Sequence, residues 1–237
     1  MRFALYFTPN PHSLLWELGS SWIGRDALKD MKISLNSHLG ISREFHRQVT
    51  KTPRRYGFHA TLKPPFTLSD NNLLPRLKDS LKNFASSRQQ FPTSPLELRN
   101  IGNFFCLCPK KQSTQLSELA ADTVQHFDHF RAPLSSAEIA SRRKRKLTPE
   151  QELNLKIWGY PYVLNQFRFH ITLSDTLRDL SKRQLIKAAL TDHFAPILHK
   201  SITIDSITLC VEPQPGRHFV FSKRYSFQTS SSSTPSP

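Results

Sequence analysis

Several residue types are scarce in this chain of 237 residues, and each scarcity excludes a class of protein. The three cysteines, Cys106, Cys108 and Cys210, are too few for a disulfide scaffold and are more typical of reduced core thiols. No apolar run approaches the roughly 18 residues that a membrane-spanning helix requires. We therefore expect a cytoplasmic protein with no membrane partner, while the pattern gives no expectation of its oligomeric state.

Acidic residues are also scarce, and this shortage predicts anionic partners. The chain has 18 aspartates and glutamates against 33 lysines and arginines, a formal net charge of +15. Such a surplus raises the local concentration of anions, so phosphorylated small molecules or nucleic acid become candidate partners. The densest basic run, RRKRK at 142–146, could be an RNA patch. We favour the solvated face of a helix, because aromatic residues do not interleave with it as stacking on RNA would require.

Hydrophobic periodicity divides residues 1–229 into strands and helices. The strands are expected over 2–8, 56–63, 95–108 (two short strands), 166–173, 201–211 and 218–227. The helices are expected over 13–23, 72–86, 115–130, 136–146, from the capping box at Thr148 to before Gly159, and over 181–194. Pro64-Pro65 is expected to end the second strand, and 30–53 gives no clear prediction. Residues 230–237, rich in Ser, Thr and Pro, predict a disordered tail.

This order of elements predicts an α+β fold. Residues 1–229 are expected to form a single bilobal domain of two pseudo-symmetric lobes, each an antiparallel sheet with helices. Each half of the chain has one strand with a histidine motif, at least one helix and a closing pair of strands.

The histidine motif is a repetition. Residues 58–62 are Phe-His-Ala-Thr-Leu and residues 169–173 are Phe-His-Ile-Thr-Leu, with the histidines 111 residues apart. Because side chains alternate along a strand, each copy has an apolar face and a face that presents a histidine and a threonine. The histidines are His59 and His170, and the threonines are Thr61 and Thr172.

These residue types suit the cleavage of a phosphodiester. One histidine can take a proton from the attacking oxygen while the other protonates the leaving oxygen, since the ordinary pKa of histidine, about 6.5, is near neutral. The threonine hydroxyls can donate hydrogen bonds to the non-bridging phosphate oxygens. A single H-x-T would more often be structural, but a repeat with Phe before and Leu after is harder to dismiss. We expect no metal and no cofactor, because no carboxylate or histidine set stands at ligand spacing.

Other residues are candidates for substrate binding. Arg55, Lys63 and Arg168 are predicted to share the histidine face. Arg131 could reach a phosphate or fix the end of a helix, and Tyr160 and Tyr162 could line a sugar pocket or cover the core.

At these residues the sequence resembles the 2H phosphoesterase superfamily, which is named for two H-x-[T/S] strands. The resemblance extends over nearly the whole chain apart from the tail, and its longer phrases are similar to the branch associated with phosphonate degradation. These phrases are GSSWIGRDAL (19–28), RRYGFHATLKPPF (54–66), FDHFRAPLS (127–135), LTPEQ (147–151), WGYPYV (158–163) and FRFHITL (167–173).

The resemblance implies that two lobes place the motif strands across a central cleft. It also implies a cyclic phosphodiesterase that opens a ribose cyclic phosphate of phosphonate catabolism or a nucleoside cyclic phosphate. The partner would then be a small phosphorylated sugar or nucleotide. Two alternatives stay open: an RNA-binding or RNA-end-processing protein, and a non-catalytic accessory protein of phosphonate metabolism.

Overall fold

The fold was established from a computed structural model that describes residues 1–35 and 40–229. The predicted tail at 230–237 lies outside the described residues. Within them, no helix is long and apolar enough to cross a membrane.

Among residues 1–35 and 40–229, seven strands form one antiparallel sheet, and two small strand pairs lie outside it. The strands are β1 (Arg2–Phe7), β2 (Arg25–Asp26), β3 (Met31–Lys32), β4 (Ala60–Phe66), β5 (Phe91–Pro92), β6 (Leu96–Ile101), β7 (Phe104–Pro109), β8 (Ile171–Thr172), β9 (Thr203–Ile204), β10 (Ser206–Glu212) and β11 (Val220–Ser226). The order in the large sheet is β11-β10-β1-β4-β8-β7-β6, while β2 pairs with β3 and β5 with β9. The α+β fold predicted from the sequence is confirmed.

Eight α-helices accompany these strands in the described part of the chain. They are α1 (Leu14–Ile23), α2 (Arg43–Val49), α3 (Lys51–Tyr56), α4 (Leu74–Ser86), α5 (Thr114–His126), α6 (Ser136–Arg143), α7 (Pro149–Trp158) and α8 (Leu180–Phe194). The capping box predicted at Thr148 is present, with Gln151 as its partner, and Gly159 ends α7 in the left-handed conformation. Helices α2 and α3 occupy the last part of the segment that gave no clear prediction, and α3 continues beyond it to Tyr56.

One face of the large sheet packs on the main hydrophobic core. A row of apolar residues crosses the sheet on that face, where Ala60 is paired with Phe7 on one side and with Ile171 on the other. Leu107 and Leu98 continue the row on β7 and β6. Phe58 and Phe169, the first residues of the two motifs, are buried in the same core. The opposite face is therefore the one on which the polar motif residues lie.

Several strands differ from the boundaries predicted by the sequence. The strand predicted over 201–211 is divided into β9 and β10, which lie in different sheets. β4 continues through Pro64 and Pro65, because the pairing with β1 shifts there and no residue of β1 lies directly opposite either proline. β8 has only two residues, since the amide side chain of Gln112 bonds the backbone carbonyl of Phe167 and the backbone N–H of Phe169 in place of a strand neighbour.

The closing strand pairs belong to the opposite halves from those expected. We expected β6 and β7 to close the half that contains His59, but they pair with β8, next to His170. Conversely, β10 and β11 join β1 and β4. Hydrophobic patterns identify strands but do not say which strand pairs with which, so this exchange could not be predicted from periodicity.

Candidate active site

The four polar motif residues lie on one face of the sheet, at its centre. Ala60 of β4 is directly opposite Ile171 of β8 in antiparallel register. Extending this register by one residue in each direction places His59 opposite Thr172, and Thr61 opposite His170. Residues directly opposite one another project from the same face, about 5 Å apart at Cβ. Each histidine is therefore adjacent to the threonine of the other motif, and all four side chains are partly exposed.

Both imidazoles are held in the same way. Nδ1 of His59 bonds the carbonyl of Gly57 at 2.8 Å, and Nδ1 of His170 bonds the carbonyl of Arg168 at 2.7 Å. A carbonyl only accepts hydrogen bonds, so in each ring Nδ1 carries the proton and the neutral form has a basic Nε2. Nε2 of His59 accepts a hydrogen bond from the hydroxyl of Thr61 at 3.2 Å. The site thus holds two imidazoles of one tautomer, each with a nitrogen able to accept a proton.

Burial lowers the basicity of both rings. The pKa of His59 is lowered to about 4, chiefly by loss of hydration and to a smaller extent by the neighbouring His170, while the Gly57 carbonyl opposes the shift. The pKa of His170 is also lowered by burial, and the Arg168 carbonyl opposes the shift. Both histidines are therefore neutral in the free protein near pH 7.

Different aromatic side chains cover the two histidines. The ring of Tyr6 stacks on His59 with centroids 3.8 Å apart and an angle of 27° between the planes. The ring of Phe104 contacts His170 at 5.9 Å and 45°. Tyr6 was not among the predicted site residues, although the alternation of β1 gave a signal, since Tyr6 occupies the strand face opposite Phe3, Leu5 and Phe7.

The structure corrects the predicted position of Lys63. Tyr6 pairs with Thr61, but the preceding residue, Leu5, pairs with Lys63. This bulge turns Lys63 to the same face as Leu5, away from the histidines. Its ammonium group is buried there and bonds Asp128 at 2.9 Å and the carbonyl of Val124 at 3.2 Å.

Arg131 belongs to this buried cluster, not to the histidine face. Its guanidinium makes two bonds to Asp128, at 2.9 and 3.0 Å, and a third to the carbonyl of Ile157 near the end of α7. Of the two interpretations of Arg131, the structure supports the one in which it fixes a helix end.

Arg55 lies near His59 and shares a carboxylate with an arginine that the sequence did not single out. Glu212 is fully buried and accepts hydrogen bonds from both Arg2 and Arg55. Two guanidiniums on one carboxylate leave a net charge of +1, and both arginines are about 30% exposed at the side chain. The guanidinium of Arg55 also lies over the ring of Tyr56, which is 6.2 Å from His59. A partly exposed cationic group thus borders the His59 side of the site.

Tyr160 and Tyr162, the two tyrosines predicted as candidates for substrate binding, differ in their surroundings. Tyr160 lies near Tyr6 and Tyr56, and the guanidinium of Arg142 lies over its ring at 4.6 Å. Tyr162 is more exposed and meets Tyr160 edge-on at 5.6 Å. Arg168 has an exposed side chain and contributes its carbonyl to His170. The basic run thus contributes Arg142 to the surroundings of the site.

Nothing in the described residues forms a group of three or more histidines, cysteines or carboxylates that could hold a metal ion. The polar atoms at the site are imidazole nitrogens and hydroxyls. This set can exchange protons and donate hydrogen bonds to an anion.

A family model described as "Protein of unknown function (DUF1045)" matches residues 61–220. The chain belongs to the DUF1045 family. The matched range begins inside the first H-x-T motif of this DUF1045 protein and contains the whole of the second. Two H-x-T strands side by side are also the feature for which the 2H phosphoesterase superfamily is named, so the structure agrees with the resemblance seen in the sequence.

Two curated relatives of the DUF1045 chain carry the name ribose 1,5-bisphosphate phosphokinase PhnN. The protein of Janthinobacterium sp. (strain Marseille) is 35% identical over 95% of this chain and 51% of its own length. The protein of Laribacter hongkongensis (strain HLHK9) is 32% identical over 92% of this chain and 50% of its own length. The chain thus spans about half the length of these relatives. Among solved structures, E. coli LigT complexed with 3'-AMP is 10% identical, with a TM-score of 0.48 over 96% of this chain and 98% of that chain.

Proposed function

We propose that this protein is a phosphodiesterase that opens a cyclic phosphate ester without a metal ion, using His59 and His170 as an acid/base pair. The observation that carries the proposal is the pairing of Ala60 with Ile171, which brings both imidazoles to one face of the sheet. A phosphate bound between them would have one histidine beside the attacking water and the other beside the leaving oxygen. General acid and base catalysis by positioned groups contributes about 10²- to 10⁴-fold to a rate.

The threonines are proposed to bind the non-bridging phosphate oxygens. Thr61 and Thr172 lie diagonally across the β4–β8 pair, so their hydroxyls would reach the phosphate from opposite sides. In the free protein the hydroxyl of Thr61 donates to Nε2 of His59. In the complex, a phosphate oxygen would accept the hydrogen bond from the Thr61 hydroxyl instead. Nε2 of His59 would then be free to accept a hydrogen bond from the attacking water.

The environments of the rings suggest their roles. His59, whose pKa is lowered to about 4, is neutral over almost the whole working range of pH and is suited to be the base. A bound phosphate dianion or monoanion raises the pKa of a nearby imidazole, because it stabilises the charged form. His170 is not covered by a stacked ring and is proposed to take up the proton that it donates to the leaving oxygen.

The cationic rim beside His59 favours a substrate with a second anionic group. Arg55 lies over the ring of Tyr56 and shares Glu212 with Arg2, and Arg142 lies over the ring of Tyr160. Such a combination of cations and aromatic rings suits a sugar phosphate. We propose a ribose 1,2-cyclic phosphate that carries a 5-phosphate. Breaking its bond between phosphorus and O2 would give ribose 1,5-bisphosphate, the compound in the names of the two curated relatives. The proposed reaction would then belong to phosphonate catabolism, as the sequence resemblance implies.

Arg168 and Tyr162 remain proposed substrate-binding residues at the outer edge of the site. Both are exposed, and neither is needed for the proton transfers.

The proposal is tested by following hydrolysis of the ribose cyclic phosphate and of 2',3'-cyclic nucleotides. We expect His59→Gln and His170→Gln each to lower kcat by about 10²- to 10⁴-fold with the melting temperature nearly unchanged. Glutamine keeps a polar side chain of similar length, and His12→Gln, an exposed change far along the sequence from both motifs, is the matched control. Full activity in either motif variant would refute the two-histidine mechanism, and loss of activity on chelation would refute its independence of metal.

RNA binding is the second candidate, because Lys144, Arg145 and Lys146 are exposed in the basic run. RNA affinity that falls steeply with salt and survives both histidine changes would favour it over hydrolysis of a small substrate. Retained RNA affinity in a variant with these three residues changed to glutamine would exclude the run as the binding surface.

A further inference from the structure

Two cysteines continue the catalytic rows across the sheet. Cys106 of β7 lies directly opposite Thr172 of β8. The next residue, Leu107, lies opposite Ile171, and extending the register by one more residue places Cys108 opposite His170. Since opposite residues project from the same face, both thiols lie on the face that carries the two histidines.

The two sulfur atoms form a close pair. Cys106 and Cys108 are two residues apart on one strand, and their Sγ atoms are 3.4 Å apart. Two sulfurs that bind one metal ion at about 2.3 Å with tetrahedral angles are about 3.8 Å apart. Side-chain rotations that move the two Sγ atoms apart by a few tenths of an ångström would therefore let them share an ion. A disulfide would instead have to bring the sulfurs to about 2.05 Å across two extended residues, a span near the upper limit for a disulfide.

We propose that Cys106 and Cys108 form a two-thiol site for a soft, thiophilic metal ion, such as Cu(I) or Cd(II), directly beside Thr172 and His170. Thiolate ligands select soft metals over the hard cations that accompany phosphates. On binding, each thiol releases one proton to solvent and each sulfur donates one electron pair to the ion. No electron is transferred, so neither an oxidant nor a reductant is required.

One charged neighbour of the pair favours this chemistry. The hydrogen bond between the two thiols lowers the pKa of Cys108 and raises that of Cys106. The charge of Arg99 stabilises thiolate at both, whereas burial opposes it at both and Glu97 opposes it at Cys108. Arg99 and Glu97 lie opposite the two cysteines on the outer strand β6, and their ion pair is partly exposed. The two thiols are buried, and the neighbours across from them on the outermost strand are the partly exposed side chains of Arg99 and Glu97.

An ion at this site would disturb the catalytic residues. Drawing the two sulfurs into a shared coordination sphere would shift Cys106 and Cys108 against Thr172 and His170 on the neighbouring strand. We therefore expect the ion to inhibit hydrolysis of the cyclic phosphate. This second consequence rests on the proposed function, whereas the binding itself does not.

The binding test is a titration of the full chain with Cd²⁺, with a phosphine as reductant. We expect a sulfur-to-cadmium absorption band in the ultraviolet that saturates at one ion per chain. The band should be lost in Cys106→Ala and Cys108→Ala and kept in Cys210→Ala, a matched control because Cys210 is buried on the same face of the sheet at β10. No band in the wild type, or a band that survives in Cys108→Ala, would overturn the proposal.

A second measurement needs no variant and so is independent of any folding defect. In the wild type, Cd²⁺ should protect Cys106 and Cys108 from alkylation and leave the labelling of Cys210 unchanged, as read by peptide mass. Equal labelling with and without Cd²⁺ would also overturn the site.

Activity is the third readout. Cd²⁺ at saturation should lower hydrolysis at least tenfold in the wild type and in Cys210→Ala, but not in Cys108→Ala. A band and protection without this inhibition would overturn the coupling to the catalytic residues. If the wild type hydrolyses no cyclic phosphate, the proposed function fails while the absorption and alkylation results still decide the thiol site.

Discussion

His59 and His170 occupy the same place in the same five-residue motif, yet their surroundings differ. His59 lies under the stacked ring of Tyr6, whereas His170 meets Phe104 at a tilt. The residue after each motif differs as well: a bulge turns Lys63 into a buried ion pair, while the hydroxyl of Ser174 accepts a hydrogen bond from the backbone of Phe105. The motif therefore fixes the reacting groups, and the neighbouring strands give each copy its own properties.

The largest expected effect concerns the residues that follow the motifs. Lys63→Met leaves Asp128 without one of its two cationic partners in a largely buried place, so the free energy of unfolding should fall by about 3 kcal/mol. Ser174→Ala orphans one backbone N–H and should cost about 1–2 kcal/mol. Urea denaturation measures both, with the exposed Lys82→Met as control, expected within about 0.5 kcal/mol. If Lys63→Met lowers kcat and leaves the free energy of unfolding unchanged, Lys63 acts on the face of the sheet that carries the histidines, contrary to its position in the structure.

The aromatic neighbours give the next effect. Tyr6→Leu removes the stacked ring and rehydrates His59, so the pKa of His59 should rise from about 4 towards its ordinary value. A base must be neutral to act, so the acid limb of kcat/KM should move to higher pH, with about a tenfold loss at pH 5.5 and little change at pH 8.

Phe104→Leu is the matched change beside His170. It should leave the acid limb in place, because His170 is proposed to act as the acid. If the acid limb of kcat/KM moves in Phe104→Leu and stays in place in Tyr6→Leu, His170 is the base and His59 is the acid.

The two threonines should differ by a smaller factor. Thr61→Val removes a phosphate donor and also the hydrogen bond to Nε2 of His59, whereas Thr172→Val removes the donor alone. We expect kcat/KM to fall about tenfold in Thr61→Val and about threefold in Thr172→Val, the range of a single hydrogen bond. The serine variants, which keep the hydroxyl, serve as controls. Equal losses in Thr61→Val and Thr61→Ser would point to packing and not to hydrogen bonding.

The smallest effect is on stability. The pKa of His59 is lower in the folded protein than in the unfolded chain, so the unfolded chain binds the extra proton as pH falls from about 6.5 towards 4. Stability should therefore decrease over this window, and His59 should account for a loss of about 1.4 kcal/mol at pH 5.5. His59→Gln should flatten the pH dependence of the unfolding free energy by that amount, while His170→Gln should flatten it less. Parallel curves for wild type and His59→Gln would refute the lowered pKa.

Sequence patterns predicted the local elements of this protein better than their partners. The capping box at Thr148 and the repeated motif are properties of short segments, and each is present in the structure. The bulge that redirects Lys63 depends on the pairing with β1, which alternation along β4 does not show. The pairing of Arg55 with Glu212 likewise joins residues 157 positions apart, and no local pattern contains it.

The exchange of the closing strands has a consequence for biosynthesis. The three strands next to His170 come from one stretch of chain, 96–172, and can pair as soon as it has left the ribosome. The sheet around His59 needs residues 206–226 to dock on β1, close to 200 positions earlier, and closing so long a loop delays folding. During synthesis, the histidine that is made first should therefore be the last to receive its complete set of neighbouring strands.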